Sequence, residues 1–275
     1  MRIVHTIAEL RAALAGAGPV NLVPTMGNLH AGHLSLVKVA RQRRAVLVTS
    51  IFVNRLQFGP QEDFSRYPRT LDSDCRLLEG AGCDVVFAPS GDEIYPQDQE
   101  YRLVPPAAIA DMFEGAVRPG FFIGVCTVVL KLLHIVQPDA AFFGKKDYQQ
   151  LLIVRRMVEQ LAVQTEIVGC ETVRDGNGLA LSSRNGYLSA AELAEAAELN
   201  RTLRKVAMDI RAGAAAWPDL ERRAMQSLRS RHWRPDYIAV RRSADLSVAE
   251  PKDPLIVIGA ARIGGTRLID NYEVP

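Results

Sequence analysis

His30 and His33, separated by Ala31 and Gly32, close the stretch PTMGNLHAGH at residues 24–33. Imidazoles can hydrogen-bond phosphate oxygens and carry protons near neutral pH, so two of them beside a glycine suggest chemistry at a nucleotide phosphate. The apolar run before them reads as a buried strand over residues 20–24, and the run that begins at Leu34 reads as a helix over residues 32–44. A strand, a Gly-containing turn and a helix start together form an anion site. The first N–H groups of a helix lack intrahelical partners, and its dipole favours negative charge there. Gly32 lets the backbone come close to a ligand. Two histidines three positions apart could instead share a zinc ion, but no third ligand lies near them in the sequence.

Three other segments carry chemistry of the same kind. Asn54 and Gln57 follow the apolar run AVLVTSIFV at residues 45–53, and their amides could hold a hydroxylated substrate. Gly144, Lys145, Lys146 and Asp147 follow a short apolar run and open a helix, a setting that suits phosphate. Gln150 lies one helical turn beyond Lys146. The Gly-led loop at residues 178–185 holds two hydroxyls and an arginine, Arg184, and could close over a triphosphate. Taken singly, a turn-forming Asn, a surface Gln or a solvated Lys is ordinary; placement at strand ends makes these residues candidates.

The elements that must position them alternate strand and helix. Strands are expected at residues 20–24, 45–53, 84–88, 140–143 and 164–168. Helices are expected at 32–44, 69–80, 107–116, 123–136 and 147–161. Alternation with apolar strands predicts an α/β unit with a parallel sheet covered by helices, whose ligands gather beyond the strand C-termini. The character changes near residue 173. A helix is expected over residues 189–213, with Ser189 as N-cap and Glu192 completing a capping box, and another over 217–233. Strands follow at 236–240, 255–260 and 267–269. This pattern predicts a smaller α+β domain over residues 173–275, after a first domain at 1–172, with loop 174–185 in the hinge.

Composition narrows the class. The chain has 275 residues, 48% hydrophobic and 23% charged, enough for a real core. A formal net charge of +2 argues against a nucleic-acid partner. Four dispersed cysteines, Cys75, Cys83, Cys126 and Cys170, fit a reducing cytoplasm better than a disulfide scaffold. Residues 121–136 form the longest apolar run, too short and too interrupted to predict a membrane span.

The four segments, with YPRTL at residues 67–71 and EIYP at 93–96, resemble in order the motifs of the pantothenate synthetase (pantoate–β-alanine ligase) family, over essentially the whole chain. The resemblance implies a Rossmann-like N-terminal domain, a C-terminal lid domain and a homodimer. It implies that ATP, with Mg²⁺, activates pantoate as an adenylate, which β-alanine then captures to give pantothenate and AMP. Met26, Gly27, Asn28, Leu29, His30, Ala31, Gly32 and His33 would cradle ATP, with His33 catalytic and His30 assisting. Gly144, Lys145, Lys146 and Asp147 would bind ATP, with Lys146 at the phosphates. Val173 would contact the nucleotide, and Leu181, Ser182, Ser183 and Arg184 would close over it. Gln57 and Gln150 would hold pantoate, with Asn54 beside them. EIYP receives no task.

The chain departs from the expected pattern at Arg55, Phe121, Lys145, Glu171 and Asn177. Lys145, a second cation beside Lys146, is expected to point to solvent. Asp72, Asp74 and Asp147 are metal candidates on charge alone. The rival readings are a nucleotidyltransferase acting on a phosphate acceptor, a non-catalytic nucleotide sensor and an RNA-binding protein.

Overall fold

The computed structural model describes residues 1–59, 64–214 and 216–274. The chain divides into two compact units, Met1–Lys145 with Gln149–Glu171, and Lys146–Tyr148 with Thr172–Pro275.

The first unit is built on six strands: β1 (Arg2–Val4), β2 (Val20–Thr25), β3 (Val46–Ile51), β4 (Val85–Phe87), β5 (Ala140–Gly144) and β6 (Glu166–Cys170). Their order is β1-β4-β3-β2-β5-β6, and every pairing is parallel. The near-continuous apolar strands expected of such a sheet are present. Leu22, Val23, Leu47, Val48, Val86, Phe87, Ala141 and Phe142 are fully buried, each large one contributing about 1.5–3 kcal/mol. One face packs on Leu36, Val37 and Ala40 of the helix Ala31–Arg41 and on Cys75 and Leu78 of the helix Leu71–Gly80. The apolar run at 121–136 is the helix Phe121–Val136, buried along most of its length. Among the described residues no helix is long and apolar enough to cross a membrane.

The chain steps outward from β2 through β3 to β4, then returns to β5 on the other side of β2. That reversal makes the β2/β5 boundary a topological switch point, where open α/β sheets bind ligands beyond the strand C-termini. It sets the ends of β3, β2 and β5 side by side, with Pro24 opposite Ser50 and Leu22 opposite Ala141. Three of the four candidate segments leave the sheet there.

Two expected helices are divided. Residues 107–116 form two short turns, Ala107–Ala110 and Glu114–Val117, broken at Phe113 with φ 49°. Gln149 staples them. Its Nε2 donates to Ile109 O (2.7 Å) and Met112 O (2.8 Å), and its Oε1 accepts from Glu114 N (3.1 Å). Residues 189–213 form Ala190–Glu195 and Glu198–Arg211, with the expected Ser189–Glu192 capping box on the first. A Thr6–Glu9 capping box also starts a helix, Ile7–Leu14, that the apolar pattern did not announce.

The second unit holds an antiparallel sheet, β7 (Arg234–Arg242), β8 (Leu255–Ile263) and β9 (Thr266–Val274), in that order. Leu199, Leu203 and Val206 of the helix Glu198–Arg211, and Leu220 and Leu228 of Trp217–Ser230, share a core with Ile238, Val257 and Trp233. The three residues Lys146–Tyr148 belong to this unit: Asn271 Nδ2 donates to Lys146 O (2.9 Å) and Tyr148 OH to Ser243 O (3.1 Å).

Candidate active site

The turn after β2 is held from several sides. Thr25 Oγ1 donates to Ser50 O (2.8 Å) and accepts from Gly27 N (3.2 Å). Gly27 and Asn28 both take left-handed backbone, at φ 80° and 52°. A side chain at Gly27 would bring its Cβ within 3.0 Å of Asp74 Oδ2, so both conformation and space call for glycine. Asp74, 1% exposed, anchors the turn. Its Oδ2 accepts from Asn28 N (3.0 Å) and Thr70 Oγ1 (3.1 Å), and its Oδ1 accepts from Leu29 N (2.8 Å). Asp74 was a metal candidate on charge alone; its carboxylate is instead engaged by main-chain amides and a hydroxyl. Among the described residues no three His, Cys, Asp or Glu side chains cluster to hold a metal ion.

His30 caps the helix Ala31–Arg41, its Nδ1 accepting from Gly32 N at 3.1 Å. A ring whose Nδ1 accepts carries its proton on Nε2, so His30 presents an N–H donor at its far edge. The His30 and His33 ring centroids lie 4.1 Å apart with planes tilted by 38°. The cradle expected here differs in kind from a row of open amides. The N–H groups of Gly27 and Gly32 donate within the segment, to Thr25 Oγ1 and His30 Nδ1, and those of Asn28 and Leu29 donate to Asp74. Those four amides are therefore engaged by the protein itself.

At the end of β3, Asn54 caps the short turn Arg55–Gln57 and is 1% exposed. Gln57 is half-buried, and its Nε2 lies 3.0 Å from Met26 Sδ, which ties this segment to the β2 turn. A cavity of about 600 Å³ opens beside Gln57, bordered by Leu56, Phe58, Gly120 and Phe121. That is small-molecule size. Gly144, Lys145 and Gln150 lie in the same unit, at and just beyond the end of β5.

Lys145 does not point to solvent. Its side chain is 23% exposed and its Nζ lies 2.6 Å from Glu171 Oε1. Because β5 and β6 pair with Gly144 opposite Cys170, the residues that follow them come together. Two departures from the family pattern thus neutralise each other. Arg55, a third, pairs with Asp98 at 3.7 Å and approaches the Tyr95 ring at 5.9 Å. Phe121, a fourth, lies under the Arg118 guanidinium at 3.7 Å. Asn177, the fifth, gives its N–H to Asp175 Oδ1 at 2.8 Å.

Lys146, Asp147, Val173 and Leu181 to Arg184 belong to the second unit. There the loop is fastened at its base by Arg174, which meets both Asp270 carboxylate oxygens (2.7 and 2.9 Å) and Gly178 O (3.1 Å). Leu181 N donates to Val173 O (3.0 Å), and Ser182 Oγ caps the turn Ser183–Tyr187 by accepting from Arg184 N (3.2 Å). Arg184 itself is exposed.

The comparisons with known proteins agree with this architecture. Residues 2–273 match the family model for pantoate–β-alanine ligases. The chain belongs to the pantoate–β-alanine ligase family. It is 56% identical to the pantothenate synthetase of Leptothrix cholodnii, over 99% of this chain and all of that one. Pantothenate synthetase from Thermus thermophilus superposes with a TM-score of 0.94 at 47% identity, covering 100% of this chain and 99% of that one. The Francisella tularensis ligase, solved with β,γ-ATP and β-alanine, superposes at 0.85 with 33% identity, covering 100% and 98%. Family membership makes the chain an ATP-dependent ligase of pantothenate formation and removes the sensor and RNA-binding rivals as leading readings. Asp74 and Tyr95 touch the candidate site residues, at the β2 turn and at Asn54, and sequence reasoning gave neither that contact. The EIYP motif contained a signal for Tyr95; nothing local distinguished Asp74 from Asp72.

Proposed function

We propose that the carboxylate of pantoate attacks the α-phosphorus of ATP at the His30–His33 edge, releasing pyrophosphate and leaving pantoyl adenylate. The amine of β-alanine then attacks the acyl carbon, AMP departs, and pantothenate forms. A free carboxylate is a poor acyl donor, and adenylation supplies the leaving group. Charge grows at the α-phosphorus, so donors already aimed there lower the barrier. The observation that carries this reading is the pair of adjacent imidazoles, 4.1 Å apart, on the turn tied through Met26 to Gln57. His33 is the catalytic donor and His30 the assisting one. Gln57 and Gln150 hold pantoate. Lys146 and Arg184 meet the phosphates, with Ser182, Ser183 and Val173 at the nucleotide. Magnesium enters as the ATP complex. A homodimer in the cytoplasm fits the same family reading.

The test is pyrophosphate release from ATP with pantoate alone, then AMP and pantothenate once β-alanine is added. Replacing His33 with alanine is expected to slow pantoate-dependent release by about 10²–10³-fold, the scale of one lost transition-state donor. Pyrophosphate release that does not need pantoate would reject the substrate assignment.

A further inference from the structure

Tyr95, in the EIYP motif, is 4% exposed and has no place in the reaction as written. Its hydroxyl donates to Asn54 Oδ1 at 2.8 Å. The same oxygen accepts from Leu56 N at 3.3 Å, while Asn54 Nδ2 donates to Gly124 O and to Gln57 Oε1, both at 3.1 Å. The direction of the Asn54 amide follows from these partners. A main-chain N–H can only donate and a main-chain carbonyl can only accept, so oxygen must face Leu56 and nitrogen must face Gly124. Gly124 makes that approach possible, because a Cβ there would fall 2.1 Å from Leu56 O. With both Nδ2 protons and the Oδ1 acceptor engaged, Asn54 has nothing to offer a ligand. What it does is set Gln57. The Gln57 oxygen is turned toward Asn54, and its NH₂ is turned toward Met26 Sδ. A thioether is a weak acceptor, easily displaced by a substrate oxygen.

We propose that Tyr95 is a positioning residue that acts through Asn54 to hold the Gln57 amide with its NH₂ toward pantoate, so that the site selects an acceptor oxygen of the hydroxy acid. The inference rests on the reading that Gln57 contacts pantoate. Burial raises the Tyr95 phenol above its ordinary range, so it remains a neutral donor throughout the working pH range. Its ring is held independently, with Phe52 at 5.9 Å and the Lys131 ammonium at 4.7 Å. The hydroxyl can therefore be removed while the ring stays in place.

Tyr95→Phe is expected to raise the KM for pantoate about 5- to 10-fold, the worth of one hydrogen bond, while the KM for ATP stays within about twofold. In a Gln57→Ala background the same change is expected to add less than about twofold, because the relay then has nothing to orient. Asn54→Asp replaces the NH₂ facing Gln57 with a carboxylate oxygen. It should turn the Gln57 amide over and raise the pantoate KM by about 100-fold or more, since a carbonyl would then confront the substrate oxygen. A pantoate KM unchanged in Tyr95→Phe, a rise shared equally by ATP, or an effect that persists in Gln57→Ala would overturn the relay while leaving the substrate reading intact. Wild-type protein without pantoate-dependent turnover would overturn the substrate reading, and the selection of a hydroxy acid with it.

Discussion

Replacing Asp74 with asparagine exchanges one carboxylate oxygen for NH₂ at a site with almost no solvent. Three donors converge there: Asn28 N, Leu29 N and Thr70 Oγ1, at 3.0, 2.8 and 3.1 Å. In the better of its two orientations the asparagine oxygen keeps Asn28 and Thr70, and the new NH₂ confronts Leu29 N–H. A buried donor left without an acceptor costs about 1–3 kcal/mol, and the lost bond was charge-assisted. Taking about 2 kcal/mol for a unit of this size, the melting temperature should fall by about 4–8 °C. The kinetic effect follows from position. Leu29 directly precedes His30, so a turn that slackens moves both imidazoles, and a shift on the order of 1 Å can cost about 100-fold in rate. Thermal unfolding and pyrophosphate release, each measured across a magnesium titration, separate anchoring from metal binding. Anchoring predicts lower stability and slower release at every magnesium concentration. An asparagine variant of unchanged stability whose activity returns at high magnesium would refute the reasoning and restore Asp74 as a metal ligand.

Two further outcomes concern protonation. Arg242, and then Ser247, hold the Asp245 carboxyl well below the usual range. A depressed folded-state value gives stability that is present above the unfolded pKa and is lost as pH falls through the folded one. The wild-type melting temperature should therefore drop more steeply below about pH 4 than that of Asp245→Asn, and parallel curves would reject the pair as a source of acid sensitivity. All four cysteines are buried, and burial pushes Cys126 up to about 12 and Cys170 up to about 11, with Cys75 and Cys83 also raised. Because the thiolate is the reactive form, no thiol should titrate with an aromatic disulfide reagent at pH 8 until denaturant is added. Rapid labelling of the native protein would contradict this.

The parts of the site that were legible in sequence are those whose meaning is local. The apolar runs around Leu22 and Val48 could satisfy their backbone and bury both faces only as strands inside a parallel sheet. The Ser189 capping box needs nothing beyond its own four residues. Other features depended on distant chain. The helix expected over residues 107–116 is bent into two turns by Gln149, more than thirty positions away. Solvent exposure of Lys145 was the natural expectation for a second cation beside Lys146. It failed because strand register brings Glu171 beside it.

The sequence by itself determined the class of chemistry, because imidazole, amide and ammonium groups at strand ends have few uses together, and the ordered motifs point to one family. It also determined the α/β architecture through its strand–helix alternation. Only the tertiary structure decided how those groups are aimed. Asp74 anchors the histidine turn from 45 positions away, and Asn54 is oriented by Tyr95 and Gly124, 41 and 70 positions distant. A hydrogen bond has a direction, and an amide can face either way. Composition and spacing name the groups, but the direction is set by whichever donors and acceptors the fold brings within about 3 Å.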